Sequence, residues 1–161
     1  MRSMDKTHTT TLPDALIDEA LLLDNQLCFA MYSASLAMTK AYKKILAPLD
    51  ITYPQYLVMM VLWERDQVTV SELGSRLFLD SGTLTPLLKR MEAMGLLHRN
   101  RDAGDERRVV VSLSDAGRAL REKAKAVPLQ MSCMLPSLDQ VRQLVVELKE
   151  VRKGLYGAEE Q

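Results

Sequence analysis

Apolar positions along this chain recur at two different spacings, and the changes between them mark out its elements. From Leu16 to Leu46 the pattern is helical. Leu27, Met31, Ser35, Met38, Tyr42 and Ile45 follow the helical period, and Leu36 and Leu46 widen the stripe. Pro48 and Asp50 end it. Thr52 before Pro54 starts a second helix, Gln55 to Arg65, apolar on most sides and therefore buried. Thr69-Val-Ser-Glu72 has capping-box spacing and opens a short helix through Phe78. A break at Leu79–Gly82 leads to another helix closed by Gly95. Pro86 leaves its start open: at Pro86 with Thr85 as cap, or earlier, at Ser81. Leu96–Arg101 and Arg107–Leu113 then read as two strands, with Val109, Val111 and Leu113 alternating, around the turn-rich Asp102–Glu106. Ser114-Asp115 caps a helix that Pro128 must kink or end. Ser137-Leu-Asp-Gln140 is a further capping box, followed by a stripe of Val141, Leu144, Val145, Leu148, Val151 and Leu155.

The predicted fold class is therefore mainly α with a small β-hairpin: a short capped helix, a tight turn, a second helix and a hairpin describe a winged helix–turn–helix. Such a module sets its second helix into the DNA major groove while the hairpin reaches the flanking groove or backbone. Residues 52–114 form that DNA-binding region, residues 15–51 and 115–158 a helical region, and residues 1–14 a loose tail, in a single domain overall. The second helix offers Ser81, Thr83 and Thr85, small hydroxyls able to approach base edges and phosphates, then Lys89 and Arg90. The hairpin adds Arg99, Arg101, Arg107 and Arg108. Asp105 makes sense there if it pairs with Arg107 or a nearby arginine and fixes the loop.

The 161 residues, 47% hydrophobic, suffice for one domain with a real core. The net charge of +0 taken alone argues against nucleic acid, but the arginines cluster on the hairpin. No apolar run reaches the roughly 18 residues of a membrane span, and the start lacks a signal-peptide pattern, so a cytoplasmic protein is expected. His8 and His98 are isolated and no Cys-x-x-Cys exists, so neither a metal site nor a cofactor is expected. Two cysteines, Cys28 and Cys133, are too few for a secreted disulfide scaffold. In a reducing compartment such thiols are buried, metal-binding or redox-active.

Two readings of Cys28 stand on the residues alone. It is a small buried apolar residue among packing tyrosines, or a thiolate that attacks peroxide and needs hydrogen-bond donors. Tyr32 lies one turn on, on the same helical face. Tyr42 lies ~21 Å further along a straight helix, so a symmetry-related helix would have to bring a partner's Tyr42 and Tyr53 to the sulfur. The apolar neighbours Leu27, Phe29 and Met31 favour organic hydroperoxides over hydrated hydrogen peroxide.

Leu79-Asp-Ser-Gly-Thr-Leu-Thr-Pro-Leu-Leu-Lys-Arg-Met-Glu, followed by Asp105-Glu-Arg-Arg-Val-Val-Val-Ser-Leu-Ser, resembles the multiple antibiotic resistance regulator (MarR) family. Within it the chain is most similar to the organic hydroperoxide resistance regulators (OhrR), from about Asp24 to Leu155. The resemblance implies a homodimer with intertwined first and last helices on palindromic double-stranded operator DNA, and the longer form of the Pro86 helix. It implies that Cys28 is the peroxidatic thiol, supported by Tyr42 and Tyr53, with Tyr32 beside them. It further implies that Cys133, between Pro128 and Pro136, resolves the oxidised Cys28 of the other subunit. Organic hydroperoxides would then be the inducers of a repressor that is not an enzyme. Two alternatives remain: a repressor released by a noncovalent aromatic or drug-like ligand, and a thiol peroxidase, for which the wing has no use.

Overall fold

The computed structural model describes residues 13–158, in two compact units that divide between Lys40 and Ala41. The expected tail lies outside the described residues, as does His8, except that Asp14 already opens a helix.

The helix expected from Leu16 to Leu46 is interrupted. Helix α1 spans Asp14–Ala20, a single 3-10 turn covers Leu23–Asn25, and α2 runs Leu27–Ile45. Leu22 and Gln26 take extended backbone on either side of the turn. The apolar pattern continues through Leu21–Leu23, but Asp24 and Asn25 are residues whose side chains compete with the helix for backbone partners. Asn25 Nδ2 donates to the Glu19 carbonyl (3.0 Å) and Gln26 Nε2 to the Ala20 carbonyl (2.6 Å), satisfying acceptors that α1 leaves open. The interruption places Cys28 in the first turn of α2 rather than in mid-helix.

The second unit holds the core. Helix α3, Tyr53–Glu64, carries Pro54 in its first turn, and Gln55 Oε1 accepts from the Thr52 N–H (2.8 Å). It buries Gln55, Tyr56, Val58, Met59, Val61 and Leu62. Helix α4, Val70–Leu77, has the anticipated capping box. The Thr69 N–H and hydroxyl bond Glu72, and with Arg65 they hold its carboxyl down at about 2. Phe78 ends α4 in the left-handed region (φ 55°), and the Leu79 N–H returns to the Gly74 carbonyl (3.0 Å). Helix α5 spans Ser81–Ala93, the longer of the two expected forms. Asp80 caps it through the Thr83 N–H (2.8 Å), which is why the helix starts ahead of Pro86. Pro86 then removes a single bond, to the carbonyl of Gly82, an exposed residue that water reaches.

The sheet has one strand more than expected. Strands β2 (Leu97–Arg101) and β3 (Val109–Leu113) form the hairpin, and β1, only Val68–Thr69, pairs with the other edge of β3. All pairings are antiparallel, with Val68 opposite Val111 and Leu97 opposite Leu113. Two residues carry no readable alternation; the strand exists because β3 offers it partners. Helix α6 spans Asp115–Ala124 with Ser114 as cap, α7 Ala126–Ser132, and α8 Leu138–Ala158. The break at Lys125 precedes Pro128 because the proline ring clashes with the carbonyl of Ala124. Among the described residues no helix is long and apolar enough to cross a membrane.

Leu46, Val58, Met59, Leu73, Leu88, Met91, Leu97 and Val111 are fully buried in one apolar cluster. The start of α6 presses on the root of the hairpin: a Cβ on Gly117 would sit 2.1 Å from the Leu96 carbonyl oxygen. Gly117→Ala should therefore destabilise the protein by about 3 kcal/mol, although alanine is the better helix former. Denaturant unfolding measures this, and an unchanged midpoint would contradict the packing described.

Candidate functional site

Helices α4 and α5 and the β2–β3 wing enclose a groove of about 520 Å³. Of the residues expected at the DNA face, Ser81, Thr85, Arg99, Arg107 and Arg108 line it together. Ser71 and Ser75 of α4 join them, and sequence reasoning missed both because it sought contacts only on the second helix and the hairpin. Lys89 and Arg90 are exposed on α5, and Arg101 is exposed at the end of β2. The Thr83 hydroxyl donates to Asp80 (3.2 Å), so it also takes part in the cap. The Thr83 N–H and then its hydroxyl hold the Asp80 carboxyl below the usual range.

Two of the expected residues are used differently from the sequence reading. Glu92 of α5 takes up Arg99, accepting from its Nε (3.0 Å), Nη2 (2.8 Å) and backbone N–H (2.9 Å). These bonds hold the Glu92 carboxyl below its ordinary range and fasten β2 to the helix. Arg99 thus lines the groove with its charge already paired. Asp105 does fix the loop, but through backbone: its carboxylate accepts the Arg107 N–H (3.0 Å) and its carbonyl the Arg108 N–H (2.9 Å). The short turn brings these amides within reach of Asp105. Among the described residues no carboxylate pairs with Arg107 or Arg108.

Both thiols are free and exposed. Cys28 and the exposed Tyr32 belong to the first unit, on neighbouring turns of α2. Tyr42, Tyr53 and Cys133 belong to the second. There Tyr42 stacks on Tyr53 with ring centroids 4.3 Å apart, and Tyr56 lies 6.1 Å from Tyr42. Burial pushes all three phenols above their ordinary value, and for Tyr42 the neighbouring Tyr53 and Tyr56 add to this. The hydroxyls of the stack therefore stay protonated near neutral pH and are available as hydrogen-bond donors. Cys133 ends α7, its Sγ 3.4 Å from the Leu129 carbonyl it donates to. Among the described residues no group of three His, Cys, Asp or Glu is arranged to hold a metal.

The profile of a family described as transcriptional regulator SarA/Rot matches residues 40–124. Over 134 residues the chain is 48% identical to the organic hydroperoxide resistance transcriptional regulator of Bacillus subtilis, covering 83% of this chain and 87% of that protein. The chain belongs to the MarR family of transcriptional regulators. Another relative in sequence is the HTH-type transcriptional regulator TtmR of Methylorubrum extorquens, 50% identical over 140 residues, 86% of this chain and 72% of that one. Among solved structures, reduced AbfR bound to DNA matches with a TM-score of 0.73 and 38% identity, over 88% of this chain and 99% of that one. AbfR is a Staphylococcus epidermidis protein, also solved overoxidised on DNA and in a disulfide form.

In this MarR chain α3 to β3 form the winged helix–turn–helix, with α5 as the helix that follows the turn. Tyr56 is the aromatic that sequence reasoning left out of the tyrosine group. Its place one turn after Tyr53 on an otherwise apolar helix was the available signal. An alkaline spectrophotometric titration should show the Tyr42, Tyr53 and Tyr56 phenolates forming above the ordinary tyrosine range. Tyr53→Phe should bring the Tyr42 transition back toward it, and an unmoved Tyr42 transition would show that the two rings do not interact.

Proposed function

We propose that the protein is a redox-sensing repressor whose reduced homodimer binds palindromic double-stranded operator DNA and is released by organic hydroperoxide. The observation that carries the DNA-binding part is the groove between α5 and the wing, lined by small hydroxyls and by Arg107 and Arg108, which no carboxylate pairs among the described residues. Ser81, Thr83 and Thr85 would meet base edges and phosphates at the start of α5, with Lys89 and Arg90 further along. Arg101, Arg107 and Arg108 would neutralise phosphate, and Arg99 would keep the wing at its angle.

The homodimer reading rests on exposed apolar surface. Leu27 and Leu36 on α2, and Leu144, Val145, Leu148 and Leu155 on α8, are each 43–62% exposed in the single chain. Surface of this kind along both terminal segments calls for a partner, and an intertwined second copy covers it.

In the redox step the Cys28 thiolate attacks the outer oxygen of the hydroperoxide. The O–O bond breaks, the alcohol leaves with a proton, and Cys28 becomes a sulfenic acid. The first turn of α2 supports this, because negative charge is favoured where helix N–H groups lack acceptors. Tyr42 and Tyr53 of the partner subunit would donate hydrogen bonds to the sulfur, with Tyr32 beside it on its own helix. The Cys133 thiol of the partner subunit then displaces water from the sulfenic acid and forms a disulfide. A disulfide holds its two Cα atoms within about 7 Å, so this bond would drag the segments around α7 and move the reading helices apart from their half-sites. Each event consumes one oxidant molecule, which suits a regulator rather than an enzyme.

One equivalent of cumene hydroperoxide should convert the wild-type chain to a covalent dimer on a non-reducing gel. Cys28→Ser and Cys133→Ser should each prevent it, and reductant should reverse it. The oxidised protein should also release a duplex that the reduced protein selects from a randomised pool. Release of that duplex by an aromatic acid from the Cys28→Ser protein would instead support noncovalent induction. Many turnovers with a thiol reductant would indicate a peroxidase.

A further inference from the structure

Asp66, in the connection from α3 to the sheet, lies where β1 would continue if it were longer. The register sets Val68 opposite Val111, so position 66 falls opposite Leu113. The backbone does not make that pairing, because Gln67 turns the chain into the left-handed region (φ 59°). The Asp66 carboxylate replaces it. Oδ1 accepts the Leu113 N–H (2.8 Å) and the Gln67 N–H (2.8 Å), while Oδ2 accepts Nη1 of Arg118 on α6 (2.6 Å). The other arm of the same guanidinium, Nη2, donates to the Leu113 carbonyl (3.1 Å). Both backbone groups of the residue that ends the wing are thus held by one ion pair, and the pair joins that residue to the end of α3 and the start of α6.

A second set of bonds secures the other side of the same root. The Ser114 hydroxyl donates to the Gly95 carbonyl (2.6 Å) and its N–H to the Leu96 carbonyl (3.1 Å). The Trp63 Nε1–H donates to the Gly117 carbonyl (3.0 Å). These bonds would survive the loss of Arg118, whose side chain is 54% exposed. Removing the pair therefore leaves the core filled and the hairpin attached, but frees the far side of its base.

We propose that Asp66 and Arg118 are a positioning pair for DNA binding: they set the angle of the wing relative to α5 and tie that angle to α6. The inference rests on the DNA-binding reading above. Without the pair the wing is held to α5 through Arg99 and Glu92 alone, and its distal Arg107 and Arg108 lose their fixed phosphate contacts while the contacts of α5 persist. The loss thus has a distinct signature, a smaller dependence of affinity on salt, since each phosphate contact adds about 0.9 to the slope of log affinity against log salt. The fork geometry also requires arginine: a lysine restores the charge opposite Asp66 but cannot reach Leu113 with a second arm.

The test compares the full-length wild type with Arg118→Gln, Asp66→Asn and Arg118→Lys. Amide hydrogen exchange follows β2 and β3, and the fluorescence of Trp63, the chain's single tryptophan, reports on the rest of the junction. Affinity is measured against salt for a duplex recovered from a randomised pool by the reduced wild type. In Arg118→Gln we expect tenfold faster exchange of the Leu113 amide, an unmoved Trp63 spectrum, tenfold weaker binding and, with Arg107 and Arg108 displaced in both subunits, a salt slope smaller by about 3.6. Arg118→Lys should restore part of each. Unchanged exchange in Arg118→Gln and Asp66→Asn would overturn the pair's hold on the wing. Faster exchange with unchanged affinity and slope would overturn its role in binding. If the reduced wild type recovers no duplex at all, the DNA-binding reading fails and this proposal fails with it.

Discussion

The close approach of α6 to the base of the wing is the constraint on which the rest of the second unit depends. Gly117 has no side chain, and the Leu96 carbonyl occupies the space one would need. Because that approach is possible, Ser114 can cap α6 and bond the Gly95 carbonyl at once, and Trp63 can reach the Gly117 carbonyl. Three segments far apart in sequence, the end of α3, the root of the hairpin and the start of α6, become one packed body. The groove between α5 and the wing keeps its shape because its two walls share this base.

Much of this was legible in the sequence where local rules act. The Thr69–Glu72 capping box, the apolar α3 and the Ser137–Gln140 start of the last helix all follow from residues within one turn of each other. What escaped notice was set by partners distant in sequence. Arg99 reads as a free cation until Glu92 is placed beside it, and Val68–Thr69 reads as a loop until β3 lies alongside. The interruption at Leu22–Gln26 escaped for a different reason. The leucines there continue the helical pattern, and only the competition of Asn25 and Gln26 side chains for the α1 carbonyls ends it.

That interruption changes the chemistry open to Cys28. In mid-helix a thiol would meet backbone groups already bonded to one another. In the first turn of α2 it lies among N–H groups that have no intrahelical acceptor. Cys133 is also at a helix end, the C-terminus of α7, where its thiol donates to the Leu129 carbonyl. The two cysteines therefore stand at opposite kinds of helix end, Cys28 where backbone N–H groups are open and Cys133 where backbone carbonyls are.

The two-residue strand β1 has a consequence for the company this chain keeps. By lying against β3 it covers backbone that would otherwise invite another extended segment. Of the two outer strands the longer is β2, which carries His98, Arg99, Asn100 and Arg101. Charged edges of this kind resist sheet-to-sheet association, so a crowded solution of such molecules is protected from stacking wing on wing. A hairpin that must protrude is in this way kept from becoming a seed for aggregation.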